Sequence, residues 1–107
     1  MHQDSQPIVY IIVSRKYGTN YTGVTSNIMQ RMQQHREEAL EGFSKKNGVK
    51  MLIWYEQHVT METAIRREKQ IKKWNRQWKI NLIEASNPDW RDLAIDLGFQ
   101  PLPSRKL

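Results

Sequence analysis

The chain has 107 residues, enough for one hydrophobic core and too few for two, so a single compact domain is expected. Its formal net charge is +6 and it has no cysteine, which excludes a disulfide framework, a thiolate metal site and a cysteine nucleophile. The apolar run Ile8 to Val13 is too short to span a membrane and follows no basic segment, so a cytoplasmic protein without a membrane partner is expected.

Residues 1–6 are polar and read as a loose terminus; the domain is expected over 7–98, with 99–107 as a second loose end. Ile8 to Val13 is β-branched and apolar on both faces, the pattern of a central strand covered on each side. Ser14 to Asn20 reads as a hairpin connection and Tyr21 to Val24 as the returning strand, so Tyr10 and Tyr21 come from paired strands. Thr25, Ser26 and Asn27 offer N-cap groups for a helix that runs through Ile28, Met32, Ala39 and Leu40 to Gly42. On that helix Arg31 and His35 are four apart, one turn above each other, and can look across the hairpin. A loop with Lys45, Lys46, Asn47 and Gly48 leads to a third strand, Met51 to Tyr55, and strand order 2-1-3 puts the most apolar strand in the middle.

A basic helix is expected next, from about Thr60 and Glu62, breaking around Trp74 to Lys79, with Ile80 to Ala85 continuing it for another turn or two. Between Arg66 and Lys79 stand seven basic residues and one acid, Glu68; that surplus equals the net charge of the whole chain, so the basicity is local. Clustered Lys and Arg suit a polyanionic partner, or else a solvated helix face. Glu68 falls on the stripe marked by Met61, Ala64, Ile65, Ile71, Trp74 and Trp78, where a carboxylate has to be neutral, paired or metal-bound. Ser86, Asn87 and Pro88 read as the cap of a short terminal helix bearing Trp90, Leu93, Ala94 and Leu97, with Gly98 as its stop. The four tryptophans, Trp54, Trp74, Trp78 and Trp90, are expected mainly in the core. His2 and His58 have no partners that recommend them.

Ile8-Val9-Tyr10, then Tyr21-Thr22-Gly23, then Arg31 and His35, then Glu68 within Ala64 to Trp74, form an ordered set that resembles the GIY-YIG nuclease superfamily, in its small bacterial stand-alone branch. The resemblance covers about residues 7 to 95. Ile8 stands where the first triplet has glycine and Thr22 where the second has isoleucine; neither change removes a reacting group, and Thr22 points to the sheet face opposite Tyr21.

The resemblance implies an α+β fold, a small three-stranded antiparallel sheet of order 2-1-3 flanked by helices. It implies a divalent-metal-dependent endonuclease that hydrolyses phosphodiester bonds in DNA, in repair or processing of unusual DNA structures, with RNA as the other candidate substrate. Glu68 would be the direct ligand of one Mg²⁺ or Mn²⁺, weakly bound without nucleic acid, and Arg31 the phosphate clamp. Tyr10 and Tyr21 would place the attacking water, one of them accepting its proton, with His35 as relay or hydrogen-bond partner. Lys45, Lys46, Lys72, Lys73 and Arg76 are proposed as a group for phosphate contacts. Asn75, Asn81 and Asn87 are all available as the late asparagine that the family often uses. Two readings compete with this one. Arg31 and Glu68 would form a structural ion pair, or the chain would be a nucleic-acid-binding module with the nuclease fold and no useful turnover.

Overall fold

The computed structural model describes residues 6–41 and 50–102; Lys45 and Lys46, expected to contact phosphates, lie outside the described residues. Three strands, β1 (Ile8–Val13), β2 (Asn20–Thr25) and β3 (Met51–Gln57), form one antiparallel sheet of order β2-β1-β3. All six β1 residues are buried, as a strand covered on both faces requires. Helix α1 (Ile28–Glu41) follows β2, and α2 (Met61–Lys72) and α3 (Arg76–Ser86) follow β3.

Alternation along β1 divides the core in two. Val9, Ile11 and Val13 pack with Ile53, Ala64, Ile71 and Ile83 on one face, and Ile8, Tyr10 and Ile12 pack with Met32, Leu52 and Ala94 on the other. Between Ile11 and Ile12 the register against β3 slips, since Ile11 faces Trp54 while Ile12 faces Leu52. The extra residue, Ile53, bulges out and joins Trp54 in the α2/α3 core.

Each helix start has a local cause. The Asn27 carboxamide accepts from Gln30 N at 3.0 Å, opening α1. The Thr60 hydroxyl accepts from Thr63 N and opens α2. Asn75 does the same for Trp78 N, so α3 is a separate helix of 11 residues, not the turn or two of continuation that periodicity suggests. The break at residues 73–75 resets the helical phase, which turns Trp78 outward at 55% exposure, whereas Trp54 and Trp90 are buried. Ile65, expected on the inner stripe, is also exposed.

After α3 the expected terminal helix is only a 3-10 turn, Ile95–Leu97. Trp90 has φ 55, incompatible with helix continuation, and side chains replace the helical ladder. The buried Asn87 amide donates to Ile53 O and Arg91 O while its carbonyl accepts from Arg91 N. Gly98 does end the turn, in the left-handed region at φ 104.

This tail anchors α1. The Asp92 carboxylate accepts from Arg36 Nη2 at 2.6 Å, Leu52 N at 3.1 Å and Ala94 N at 3.1 Å, with both members of the ion pair largely buried. Asp92→Ala strands the Arg36 charge and the Leu52 amide, so urea denaturation should show a loss of about 3–5 kcal/mol; a loss below about 1 kcal/mol would contradict the account. At the β1–β2 turn, Tyr17 donates to Glu84 Oε2 at 2.9 Å, Trp90 donates to the same oxygen at 2.8 Å, and Arg76 donates to the carbonyls of Tyr17 and Gly18. These bonds clamp the β1–β2 turn onto α3.

Candidate active site

β1 and β2 place the two tyrosines. Tyr10 faces Gly23 across the ladder and Tyr21 faces Ile12, so both side chains lie on the α1 side of the sheet, with ring centroids 6.3 Å apart. Gly23 makes this possible. A Cβ there would lie 2.5 Å from the Tyr10 hydroxyl and 2.9 Å from Tyr21 Cε2, so only glycine leaves room for the buried Tyr10 ring.

α1 brings its pair to the same place. His35 Nε2 lies 3.1 Å from the Tyr10 hydroxyl, and its ring centroid is 5.8 Å from that of Tyr10 and 5.9 Å from that of Tyr21. Arg31, one turn before His35 on the same helix, lies near enough for its charge to favour the ionised form of the Tyr10 phenol. α2 supplies Glu68, whose side chain is 12% exposed, with its charge felt at Tyr10. Tyr10, Tyr21 and His35 are thus in contact, and Arg31 and Glu68 lie close enough for their charges to act on Tyr10.

Burial pushes the Tyr10 phenol up to about 12, the neighbouring Tyr21 and Glu68 adding to the rise and Arg31 opposing it by its charge. Tyr10 thus keeps its proton throughout the neutral range, whereas Tyr21 is 43% exposed and open to solvent.

Glu68 has a partner that differs from the one anticipated. Its Oε2 lies 2.6 Å from Lys72 Nζ, one helical turn on, and among the described residues no ion pair joins it to Arg31. That hydrogen bond holds the Lys72 ammonium above its ordinary pKa. Lys72 Nζ also stands 5.5 Å from the centre of the Tyr21 ring. Lys72 therefore belongs beside the acid. The signal was in the sequence, since Glu followed by Lys at i,i+4 is the favoured helical ion pair, but one lysine among seven basic residues does not announce itself.

The other basic candidates diverge. Arg76 is committed to the hairpin turn, and Lys73 is exposed at the end of α2. Of the late asparagines, Asn75 caps α3, Asn87 is buried in backbone contacts, and Asn81 accepts from Gln77 beside Trp74, Trp78 and Leu82, lining a hollow of about 380 Å³. His58 is held between Glu56 and Thr63, at 2.8 and 2.9 Å, in a network with Arg67 rather than with the tyrosines.

Thr22 is buried behind the site with its hydroxyl unpartnered. Thr22→Val keeps the shape and removes the unsatisfied group, so thermal and urea unfolding should show a gain of about 1–2 kcal/mol; a loss of that size would mean that the hydroxyl has a partner in solution.

The Glu68 carboxylate is an oxygen donor of the kind that Mg²⁺ or Mn²⁺ takes, and here it holds the Lys72 ammonium. Among the described residues there is no group of three or more His, Cys, Asp or Glu that could hold a metal. Water and substrate would have to complete the shell of an ion on Glu68, so such a site would be weak by itself. No helix among the described residues is long and apolar enough to cross a membrane.

Comparison with known proteins gives a consistent picture. A family model described as the GIY-YIG catalytic domain matches residues 6–81. A UPF0213 protein of Staphylococcus haemolyticus is 33% identical over 73 residues, covering 68% of this chain and 89% of its own. A UPF0213 protein of Staphylococcus aureus is 30% identical over the same length and coverage. The solution NMR structure of a UPF0213 protein from Bacillus halodurans covers 89% of this chain and 99% of its own, at TM-score 0.53 and 23% identity, a likeness of fold.

Proposed function

We propose that this chain, which belongs to the GIY-YIG family of nuclease domains, is a Mg²⁺- or Mn²⁺-dependent endonuclease that hydrolyses phosphodiester bonds in DNA. The observation that carries the reading is the contact of Tyr10, Tyr21 and His35, from β1, β2 and α1, with Arg31 and Glu68, from α1 and α2, within electrostatic reach of Tyr10.

Each side chain has a distinct task. The Arg31 guanidinium holds the scissile phosphate and its developing charge. Glu68 holds the ion, which when bound supplies Lewis-acid stabilisation of charge on the leaving oxygen. Tyr10, with its pKa near 12, is ionised to about one part in 10⁵ at neutral pH and acts as a hydrogen-bond donor rather than a base. Tyr21 is exposed to the solvent from which the attacking water comes, and we assign the base role to it. His35 fixes the Tyr10 hydroxyl from the α1 side. The described elements offer little that fits a groove and reads base edges, so selection by this domain rests on substrate structure, which points to branched, nicked or single-stranded DNA in repair or processing.

One observation favours a second reading. Glu68 is already satisfied by Lys72, as it would be in a binding module that has the nuclease fold and no turnover. Incubation with duplex, nicked, branched and single-stranded DNA and with RNA, in Mg²⁺, Mn²⁺ or EDTA, separates the two. The nuclease gives product from at least one DNA only when metal is present. The passive module gives binding that weakens steeply with salt, survives EDTA and yields no product.

A further inference from the structure

Glu68 and Lys72 behave as one unit. The acid side chain is 12% exposed, its Oε2 is 2.6 Å from Lys72 Nζ, and the lysine side chain is 47% exposed. A carboxylate oxygen so enclosed cannot serve a divalent ion and an ammonium at once without strong repulsion between the two cations. One of the two cations must leave. The lysine is the one that can, because its stem is flexible and half of it is already in water.

We propose that Lys72 is a built-in counter-cation of Glu68, which a divalent ion displaces and which the substrate phosphate then takes up. The inference rests on the reading of Glu68 as the metal ligand. Lys72 Nζ stands over the exposed Tyr21 ring, 5.5 Å from its centre, so the released ammonium is on the side from which substrate approaches. Without nucleic acid the lysine competes with the ion and weakens its binding. With nucleic acid the phosphate competes for the lysine and the carboxylate is freed. Metal and substrate thereby strengthen each other's binding through one side chain, with no movement of the backbone. Lys72 is in this sense a positioning residue, and its effect is readable in metal binding before any turnover.

The test is Mn²⁺ binding to the full chain without nucleic acid, followed by the electron paramagnetic resonance signal of free Mn²⁺. Wild type is compared with Lys72→Met, Glu68→Gln and the double variant, each checked for fold by circular dichroism. Lys72→Met keeps the stem and removes the charge, and is expected to bind Mn²⁺ about three- to tenfold more tightly than wild type. Adding Glu68→Gln is expected to abolish that binding. If Lys72→Met and the double variant bind Mn²⁺ alike, Glu68 is not the ligand and the metal reading itself fails; if neither binds, removing the lysine charge has not opened the carboxylate to metal and the exchange is overturned. If the double variant loses binding that Lys72→Met retains, but Lys72→Met binds no more tightly than wild type, the ligand reading stands and the exchange is overturned.

Discussion

Glu68→Gln should lower metal-dependent cleavage by at least about a thousandfold while leaving the fold in place. Loss of a direct metal ligand withdraws several kcal/mol of transition-state stabilisation, and about 4 kcal/mol corresponds to a factor of 10³. The structural cost is small by comparison. Glutamine keeps the length of the side chain, and Lys72, half exposed, can release its charge to water. Helical ion pairs of this i,i+4 type contribute about 0.3–0.5 kcal/mol, so unfolding should shift by less than about 1 kcal/mol. Cleavage within about tenfold of wild type would remove Glu68 from the chemistry. A collapsed circular dichroism spectrum would instead show that Lys72 and Glu68 are structural.

Gly23→Ala should damage the site from behind. The added methyl would stand 2.5 Å from the Tyr10 hydroxyl and 2.6 Å from Tyr10 Cζ, distances at which something must move. Tyr21, being exposed, can swing aside, but Tyr10 is fully buried and has no free space to enter. Its ring is displaced from His35 and Arg31, or the β1–β2 ladder opens. Overpacking of this kind costs about 1–3 kcal/mol of stability. Misplacement by about an ångström of a group that shapes an active site costs roughly a hundredfold in rate. The prediction is therefore a folded, somewhat less stable protein with cleavage down by about a hundredfold or more. Full activity in Gly23→Ala would mean that the Tyr10 position does not matter to the reaction.

The sheet was legible in the sequence because its signals are local and redundant. Six β-branched or aromatic residues at Ile8 to Val13 could only be a strand covered on both faces, and the hairpin and third strand follow with order 2-1-3. The family resemblance points to Tyr10, Tyr21, Arg31, His35 and Glu68, of which Tyr10, Tyr21 and His35 stand in contact and Arg31 and Glu68 lie within electrostatic reach of Tyr10. What escaped depends on side-chain bonds that periodicity does not see. Asn75 starts a new helix by capping Trp78 N, and that phase reset carries Trp78 to the surface. The Asn87 side chain takes Arg91 N and Arg91 O, and the Asp92 carboxylate takes Ala94 N, backbone groups that a terminal helix would otherwise use, so a 3-10 turn replaces it. Lys72 was read by its charge as one of a basic group, whereas its place is fixed by the carboxylate one turn before it.

Single-turnover cleavage by the wild-type protein as a function of Mg²⁺ or Mn²⁺ concentration bears most directly on the claim that this is a metal-dependent phosphodiesterase. The account predicts a rate that rises and saturates with the ion, returns to background when EDTA is added, and is absent from Glu68→Gln at every metal concentration. A rate indifferent to EDTA, or no product from any of the DNA substrates in saturating metal, would contradict it.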